Sequence, residues 1–382
     1  MNFKKSVVVT QLRLTHYRSA FFEALHLELN TRGIRFSLLH GQPDPDDIDR
    51  HDQGKIEWAT RVKNRYCRFG KTYLAWQPFP SALRNVDLIV ITQENRILSN
   101  YLRILRRNTN GPKVAFWGHG ANLQSNNPNG LKERFKRWTT RQVDWWFAYT
   151  QLSADLIAAA GFPSNRITVL NNAMDTAELR RQLQSITLEE ENALRESLGF
   201  GAGLVGVFVG SLYAGKRLDF LFAAAEKIRR DVPDFHLLIV GDGPERDKVQ
   251  AWCAAHPWVR SVGARFGKEK AAYVSLAQVM LNPGVVGLGI LDAFVCGVPM
   301  LTTNCGMHGP EIAYLDNGCN GVMTEDDLKA YADACVRLLR DPEELSRLRA
   351  GCAAIADEYT VENMVRRFAD GIELALGISS NR

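Results

Sequence analysis

Two adjacent cations follow a glycine turn in the second half of the chain. Residues 210–217 are Gly-Ser-Leu-Tyr-Ala-Gly-Lys-Arg, between an apolar run and an amphipathic stretch. Backbone amides at a helix start bind phosphate oxygens, and Lys216 and Arg217 add positive charge, so this segment suits a diphosphate. It nearly fits a P-loop for magnesium nucleotides, but Arg217 stands where that loop needs a hydroxyl. A basic surface turn is the alternative interpretation.

A second glycine-rich segment, residues 282–299, combines a loop with one carboxylate. Backbone amides of such a loop bind anionic oxygens, and a carboxylate on the helix that follows can accept hydrogen bonds from ribose hydroxyls. Alternatively, the glycines only permit close packing and the carboxylate is solvated. The candidate residues are Gly284, Val286, Gly287, Leu288 and Asp292.

The first half of the chain holds weaker signals. His119 lies between two glycines directly after an apolar run, where a loop could present it to a ligand. A single histidine is, however, more often structural. His16, Tyr17 and Arg18 follow the first apolar run.

Residues 131–141 are predicted to form a basic amphipathic helix. Its apolar side chains recur at helical spacing: Leu131, Phe135 and Trp138. Its cations are Lys132, Arg134, Lys136, Arg137 and Arg141. Such a helix can lie on an anionic membrane. Alternatively, its apolar stripe packs into the core, as on an ordinary surface helix.

The elements that must position these residues alternate between short apolar runs and amphipathic stretches, which is typical of a parallel sheet flanked by helices. Strands are predicted at 7–10, 35–39, 86–92, 114–117, 146–150, 167–170, 204–209, 236–240, 259–262, 279–282 and 300–303. The helix predicted at 19–30 places its apolar residues on one face: Phe21, Phe22, Leu25 and Leu29. In such folds ligands bind at the carboxyl ends of the strands, where the candidate loops begin.

The predicted fold is therefore α/β, with two Rossmann-like, doubly wound domains that face a cleft. The 382 residues exceed what one hydrophobic core usually serves. We assign the first domain to 1–175, a polar linker to 176–200 and the second domain to 201–359. An amphipathic helix in 360–382 is expected to cross back to the first domain.

The composition excludes several classes of protein. Hydrophobic residues make up 46% and charged residues 23% of the chain, which is typical of a globular protein and not of a disordered one. The seven cysteines show no paired spacing and predict reduced thiols in a cytoplasmic protein. Asp44, Asp46 and Asp47 are interpreted as a solvated turn, and no metal motif is recognised. No apolar run is long enough for a signal peptide or a membrane span.

The net charge of +5 is distributed unevenly along the chain. Residues 1–150 hold 24 basic and 12 acidic residues, whereas residues 151–382 hold 23 basic and 30 acidic ones. A basic first half suggests an anionic partner such as a membrane, a polyanion or a phosphate-bearing substrate. Nucleic acid is not expected, because no aromatic–basic interleaving accompanies the charge.

Taken in order, the loops of the second half resemble the retaining nucleotide-sugar glycosyltransferases of family 4, which have the GT-B fold. The matching segments over about 204–360 are Gly210 with Lys216-Arg217-Leu-Asp219, the turn at 240–245, and Pro283 with Asp292 and Gly297-Val-Pro299. Residues 171–175 are similar to the family's interdomain Asn-Gly-Val-Asp segment. The Pro-Gly and Trp-Gly-His-Gly segments look like those of members from bacterial polysaccharide clusters.

The resemblance implies transfer of a hexosyl unit from a UDP- or GDP-sugar, with retention at the anomeric carbon and without a metal or other cofactor. It implies that Lys216 and Arg217 offset the diphosphate charge and that His119 contacts the reaction centre. The other implied donor contacts are Gly210, Ser211, Asn172, Arg265, Phe266, Gly284, Val286, Gly287, Leu288 and Asp292. His16, Tyr17 and Arg18 would lie on the acceptor side. The acceptor would be lipid-linked or another saccharide, at an anionic inner membrane face, in the synthesis of a cell-surface polysaccharide.

The sequence departs from the family in three respects, one of which is the absence of the glycine pair that usually follows the first strand. The family's acidic motif is Glu, seven residues, Glu, whereas this chain has Gly284 and Asp292 there. The family's arginine after the strand-ending glycine is Ser211, and Arg217 is expected to replace it. Two alternatives stay open: a GT-B sugar-nucleotide epimerase, which would need no basic membrane-facing helix, and a non-catalytic polyanion-binding protein.

Overall fold

The chain divides into two units. The computed structural model describes residues 3–44, 53–70, 72–107, 111–120 and 130–378. The first unit comprises Met1–Met174 together with Val361–Arg382, and the second comprises Asp175–Thr360.

The strands and helices alternate along most of the chain. The strands are β1 Lys5–Arg13, β2 Ile34–Gly41, β3 Thr60–Val62, β4 Arg65–Phe69, β5 Thr72–Trp76, β6 Leu88–Thr92, β7 Lys113–Gly118, β8 Trp145–Ala148, β9 Ile167–Val169, β10 Leu204–Val209, β11 Phe235–Val240, β12 Val259–Ser261, β13 Val279–Leu281, β14 Met300–Thr303 and β15 Gly321–Thr324. The helices are α1 Ser19–Thr31, α2 Leu98–Arg107, α3 Leu131–Thr140, α4 Gln151–Ala159, α5 Thr176–Gln184, α6 Leu188–Leu198, α7 Leu218–Asp231, α8 Arg246–Ala255, α9 Gly267–Ser275, α10 Gly289–Cys296, α11 Leu328–Arg340, α12 Pro342–Ala356 and α13 Val361–Leu376.

The first unit is built on a parallel sheet in the order β3-β2-β1-β6-β7-β8-β9. Its strand β1 contains an apolar run, Val7 to Val9, that is fully buried because helices cover both faces of a parallel sheet. The predicted apolar face of α1 is confirmed, since Phe21, Phe22, Leu25 and Leu29 are all buried.

The last helix, α13, completes the core of the first unit. It packs against α1, and Phe368 stacks on Phe147 of β8 with 4.3 Å between ring centroids. The sulfur of Met364 accepts a hydrogen bond from the amide of Ala173 at 3.4 Å.

Residues 60–76 contain three strands that the sequence analysis did not predict. β3 extends the sheet beside β2, and β4 pairs with β5 as an antiparallel hairpin. Most of these residues are exposed or half-buried. They therefore lack the continuous apolar run by which a buried strand is recognised.

The second unit has a parallel sheet in the order β12-β11-β10-β13-β14-β15. Residues 176–200, which the sequence analysis assigned to a linker, instead form α5 and α6 of this unit. Thr187 and Glu190 cap α6 reciprocally, and Leu179 and Leu198 are buried. The polar composition of residues 176–200 reflects the exposed faces of two surface helices.

Candidate functional site

Two loops meet at the carboxyl edge of the second sheet. β10 and β13 are neighbours, so the loops that follow them, residues 210–217 and 282–289, lie side by side; we call them the β10–β13 loop pair. A Cβ atom at Gly284 would lie 2.3 Å from the carbonyl oxygen of Gly215. Only glycine allows this approach, which explains why no acidic side chain stands at Gly284.

Lys216 directs its ammonium into the loop pair. Its Nζ donates to the carbonyl oxygen of Val285 at 2.5 Å. Burial lowers the pKa of Lys216 to about 8, because the charged form loses hydration. The ammonium therefore stays mostly protonated at neutral pH and has been partly stripped of water, which strengthens its attraction for an anion.

Arg217 adopts the left-handed backbone conformation, with φ of 56°, which is uncommon for a residue other than glycine. Its guanidinium donates to the carbonyl oxygen of Pro283 at 3.4 Å, to Thr303 Oγ1 at 3.2 Å and to the carboxylate of Asp326. This side chain ties together three segments of the second unit. Its charge is already offset by Asp326, so Lys216 is the stronger candidate for a diphosphate.

The amide of Val286 does not behave as predicted. It donates to Nδ1 of the buried His308 at 3.2 Å, so it is not available to an anion. Because Nδ1 accepts, Nε2 carries the proton of the neutral ring and donates to the carbonyl oxygen of Thr303 at 2.8 Å. Within the described part of the chain, the amides of Gly287 and Leu288 donate to no protein acceptor and remain candidates.

Asp292 lies in the first turn of α10 and is 4% exposed, so the interpretation as a solvated helix residue is wrong. One carboxylate oxygen accepts a hydrogen bond from Lys270 Nζ of α9 at 2.8 Å. Sequence reasoning missed Lys270 and His308, since neither belongs to a local motif and each is brought to the site by another element.

The remaining donor-side candidates differ in their surroundings. Phe266, which follows β12, exposes 68% of its surface, and Arg265 Nε donates to the carbonyl oxygen of Val262 at 2.9 Å. Ser211 is exposed, and the carbonyl oxygen of Gly210 lies so close to Gly241 that a Cβ atom on Gly241 would be 1.9 Å from it. Asn172 belongs to the first unit, where it is buried and its amide donates to the carbonyl oxygen of Tyr149 at 2.8 Å.

The first unit has its own polar cavity, of about 260 Å³, beside the carboxyl ends of β1 and β6. Tyr17 and Arg18 line it, whereas His16 is exposed with its ring 6.1 Å from that of Tyr17. Asp44 also lines the cavity. It is 3% exposed and paired with Arg68 at 2.5 Å, so its prediction as a solvated residue is wrong. Asp46 and Asp47 lie outside the described residues.

His119 packs edge-on against Tyr149, with ring centroids 4.5 Å apart. Desolvation by the surrounding protein, followed by repulsion from Lys136 and Arg18, lowers the pKa of His119 to about 4. By its accessible surface, His119 is nevertheless an exposed residue. A neutral, accessible imidazole can exchange hydrogen bonds with a hydroxyl group, but it brings no positive charge at neutral pH.

The predicted basic helix α3 exposes its aromatic residues. Phe135 and Trp138 are 44% and 51% exposed, so these two members of the stripe do not pack into the core as the alternative interpretation expected. The side chain of Leu131 lies outside the described part of the structure. Tyr101 of α2 packs against Phe135 with 5.8 Å between ring centroids. Together the two helices form a surface, the α2–α3 surface, whose exposed apolar residues are Leu98, Leu102, Leu105, Phe135 and Trp138.

No group of three or more His, Cys, Asp or Glu side chains suited to a metal ion occurs among the described residues. Within the same ranges, no helix has both the length and the apolar character needed to cross a bilayer.

Two parallel-sheet units, each with a doubly wound order of strands, define the two-domain GT-B fold class. The fold of the whole chain supports this class. The crystal structure of Anabaena HepE in complex with UDP and glucose covers 97% of this chain and 100% of its own, with a TM-score of 0.68 and 16% identity.

Sequence comparisons then identify the family. Residues 20–178 match Glycosyltransferase Family 4, and residues 203–341 match Glycosyl transferases group 1. The chain therefore belongs to the family 4-type glycosyltransferases.

Individual relatives cover different parts of the chain. A GDP-mannose-dependent alpha-(1-6)-phosphatidylinositol monomannoside mannosyltransferase of Mycolicibacterium smegmatis is 32% identical over 50% of this chain and 51% of its own length. Alpha-D-kanosaminyltransferase of Streptomyces kanamyceticus is 25% identical over 84% of this chain and 83% of its own. The chain thus matches about half the length of the first relative and most of the second.

Proposed function

We propose that the protein transfers a sugar from a UDP- or GDP-sugar, bound by the second unit, to a saccharide acceptor bound by the first, with retention at the anomeric carbon. The observation that carries the proposal is the half-buried Lys216 ammonium in the β10–β13 loop pair, a pair that also contains the amides of Gly287 and Leu288. During transfer, negative charge develops on the departing diphosphate, and cations and amides held in place stabilise it. HepE was crystallised with UDP, and the name of the M. smegmatis relative specifies GDP-mannose.

The other candidate residues take roles that suit their surroundings. The buried Asp292, oriented by Lys270, is proposed to accept hydrogen bonds from the ribose hydroxyls. Phe266, largely exposed beyond β12, is proposed to stack on the base. His119, neutral near pH 7, is proposed to hydrogen-bond the transferred sugar, because an imidazole without charge serves as both donor and acceptor.

We also propose that the acceptor is lipid-linked and that the protein docks on the inner face of an anionic membrane to reach it. The support is the α2–α3 surface, where exposed aromatic and aliphatic side chains are flanked by the exposed Arg134 and Arg137. Each basic side chain near an anionic bilayer contributes about 1 kcal/mol. The name of the M. smegmatis relative includes phosphatidylinositol monomannoside, a glycolipid. A place in cell-surface polysaccharide synthesis follows from such an acceptor.

A binding experiment tests the donor site first. Thermal shifts with UDP, GDP and their sugars should show one nucleotide series that stabilises the protein, because a specific ligand raises Tm by mass action. Lys216→Ala should abolish this shift. Lys248→Ala, which removes an exposed lysine paired with Asp219, should leave it unchanged. No shift with any nucleotide would contradict the proposal. Epimerised donor without transfer would instead identify the epimerase.

We propose further that no metal ion takes part, because Lys216 and the amides of the loop pair are proposed to offset the charge of the diphosphate. Turnover should then persist in excess EDTA. Loss of turnover that magnesium or manganese restores would overturn this part of the proposal.

A further inference from the structure

Among the described residues, the polar cavity of the first unit contains a buried cation that forms no ion pair. Arg18 lines the cavity and is 5% exposed. Its guanidinium lies 4.8 Å from the centre of the Trp117 ring, 5.2 Å from Tyr17 and 5.7 Å from Tyr149. Three aromatic rings thus hold the charge in place without neutralising it.

Two other arginine side chains of the same unit donate to protein oxygens, although Nε of Arg103 has no acceptor among the described residues. Arg32 binds the carboxylates of Glu28, Asp370 and Glu373 at 2.6–2.8 Å. Arg103 donates to Asn100 Oδ1 at 2.9 Å and to the carbonyl oxygen of Gln77 at 3.3 Å.

Arg18 differs from both. Its one hydrogen-bond acceptor in the described part of the chain is the sulfur of Met364, at 3.9 Å, and a thioether is a weak acceptor. Burying a charge in this way is costly unless an anion arrives to pair with it.

The acidic side chains of the cavity cannot serve as that anion. Asp44 is paired with Arg68 at 2.5 Å, and Glu94 is paired with Arg96 at 2.6 Å. Both carboxylates are therefore already compensated, and the guanidinium of Arg18 remains as positive charge on the cavity wall.

We propose that this cavity binds the anionic group of the acceptor, with Arg18 as the residue that recognises it. The inference rests on the proposed function, because it names the class of acceptor that the first unit takes. Carboxylates and phosphates are the groups that a planar guanidinium binds through two parallel hydrogen bonds. An acceptor saccharide can carry such a group either as the diphosphate of a lipid-linked sugar or as the carboxylate of an acidic sugar.

The test compares charged and neutral probes on the full chain by calorimetry, with UDP and GDP both in excess so that the donor site is filled. The probes are an alkyl diphosphate-linked glucose, glucuronic acid and octyl glucoside. An anionic probe should bind about tenfold more tightly than the neutral one, and Arg18→Gln should remove this difference. Arg18→Lys keeps the positive charge and should retain part of the difference in affinity between anionic and neutral probes. Arg35→Gln, which removes an exposed arginine of β2, should change nothing.

The outcomes separate this inference from the proposed function. Preference for the diphosphate-linked probe identifies a lipid-linked acceptor, and preference for glucuronic acid identifies an acidic sugar. Equal binding of all three probes, or a preference that survives Arg18→Gln in a variant with wild-type Tm, overturns the inference. Nucleotide affinity in Arg18→Gln tests the donor site separately. If this affinity is unchanged, the proposed donor site is supported whatever the cavity binds.

Discussion

Lys216 illustrates how burial tunes a single side chain of the candidate donor site. Its lowered pKa, about 8, means that the ammonium begins to lose its proton just above physiological pH. The unfolded chain keeps its lysine protonated to a higher pH, so the unfolded state binds more protons between the two pKa values. Burial of the ammonium therefore costs stability below about pH 8, and this cost disappears as pH rises toward 10.5.

We expect nucleotide diphosphate affinity to fall as pH rises from about 7 to about 9, because the free protein then loses the Lys216 charge. Calorimetry in buffers of different ionisation enthalpy should show proton uptake on binding at the higher pH. Lys216→Arg keeps its charge throughout this range and should flatten the dependence. An unchanged pH dependence in Lys216→Arg would mean that another group titrates.

Asp292 combines two roles that a double substitution can separate. Asp292→Asn should destabilise the protein by about 2–4 kcal/mol, because it leaves the Lys270 ammonium, which is 20% exposed, without its partner. Asp292→Asn with Lys270→Met should recover most of this stability, as measured by urea unfolding.

Donor affinity supplies the second measurement. If Asp292 holds the ribose, the double variant should still bind the nucleotide sugar weakly despite its recovered stability. Wild-type donor affinity in the double variant would show that the pair is purely structural.

At the level of elements, α2 and α3 expose aromatic and aliphatic side chains that the core of the first unit leaves partly uncovered. Phe135 and Trp138 are three residues apart and share one face of α3, with 5.7 Å between their ring centroids. Leu105 of α2 is 65% exposed nearby in the same unit. Exposed apolar patches with basic borders are typical of surfaces that dock on anionic membranes.

Charge reversal on this surface should release the protein from membranes. Arg134→Glu with Arg137→Glu should abolish co-sedimentation with anionic vesicles at low salt, while nucleotide binding is kept. Phe135→Ser with Trp138→Ser should weaken the binding that remains at high salt, where charges are screened. The control Arg35→Glu with Arg84→Glu reverses two exposed charges elsewhere on the first unit. Equal binding to neutral and anionic vesicles would contradict a docking role.

At the scale of the whole molecule, the first unit depends on the C-terminal end of the chain. α13 supplies Phe368, which is fully buried, and Met364, whose sulfur meets both Arg18 and the amide of Ala173. The core of the first unit is therefore completed only after the second unit has been synthesised.

Phe368→Ala should destabilise the first unit by about 3–5 kcal/mol, since it removes a fully buried aromatic side chain. Calorimetric unfolding should show a lower transition for the first unit and an unchanged one for the second. Leu374→Ala on the same helix removes a side chain that is 56% exposed and should have little effect. A parallel loss from both transitions would mean that the units unfold together.

The sequence by itself was sufficient for the parallel-sheet architecture and for the loops that follow β10 and β13. Buried parallel strands such as β10, predicted at 204–209 and found there, are continuous apolar runs, and glycine turns after them are local signals. Prediction from sequence failed for elements whose residues carry no local apolar pattern. The hairpin β4–β5 is largely exposed, and α5 and α6 have the polar composition of a linker.

Only the tertiary structure decided which candidate groups are available for chemistry. The amide of Val286 is taken by His308, the charge of Arg217 by Asp326 and the carboxylate of Asp292 by Lys270, and each partner comes from a distant segment. Conversely, the rings that surround Arg18 come from β7 and from the segment that follows β8, as well as from its own neighbour Tyr17. The spacing of residues along the chain specifies local turns and helix faces, but pairing between buried charges depends on which elements the sheet order brings together.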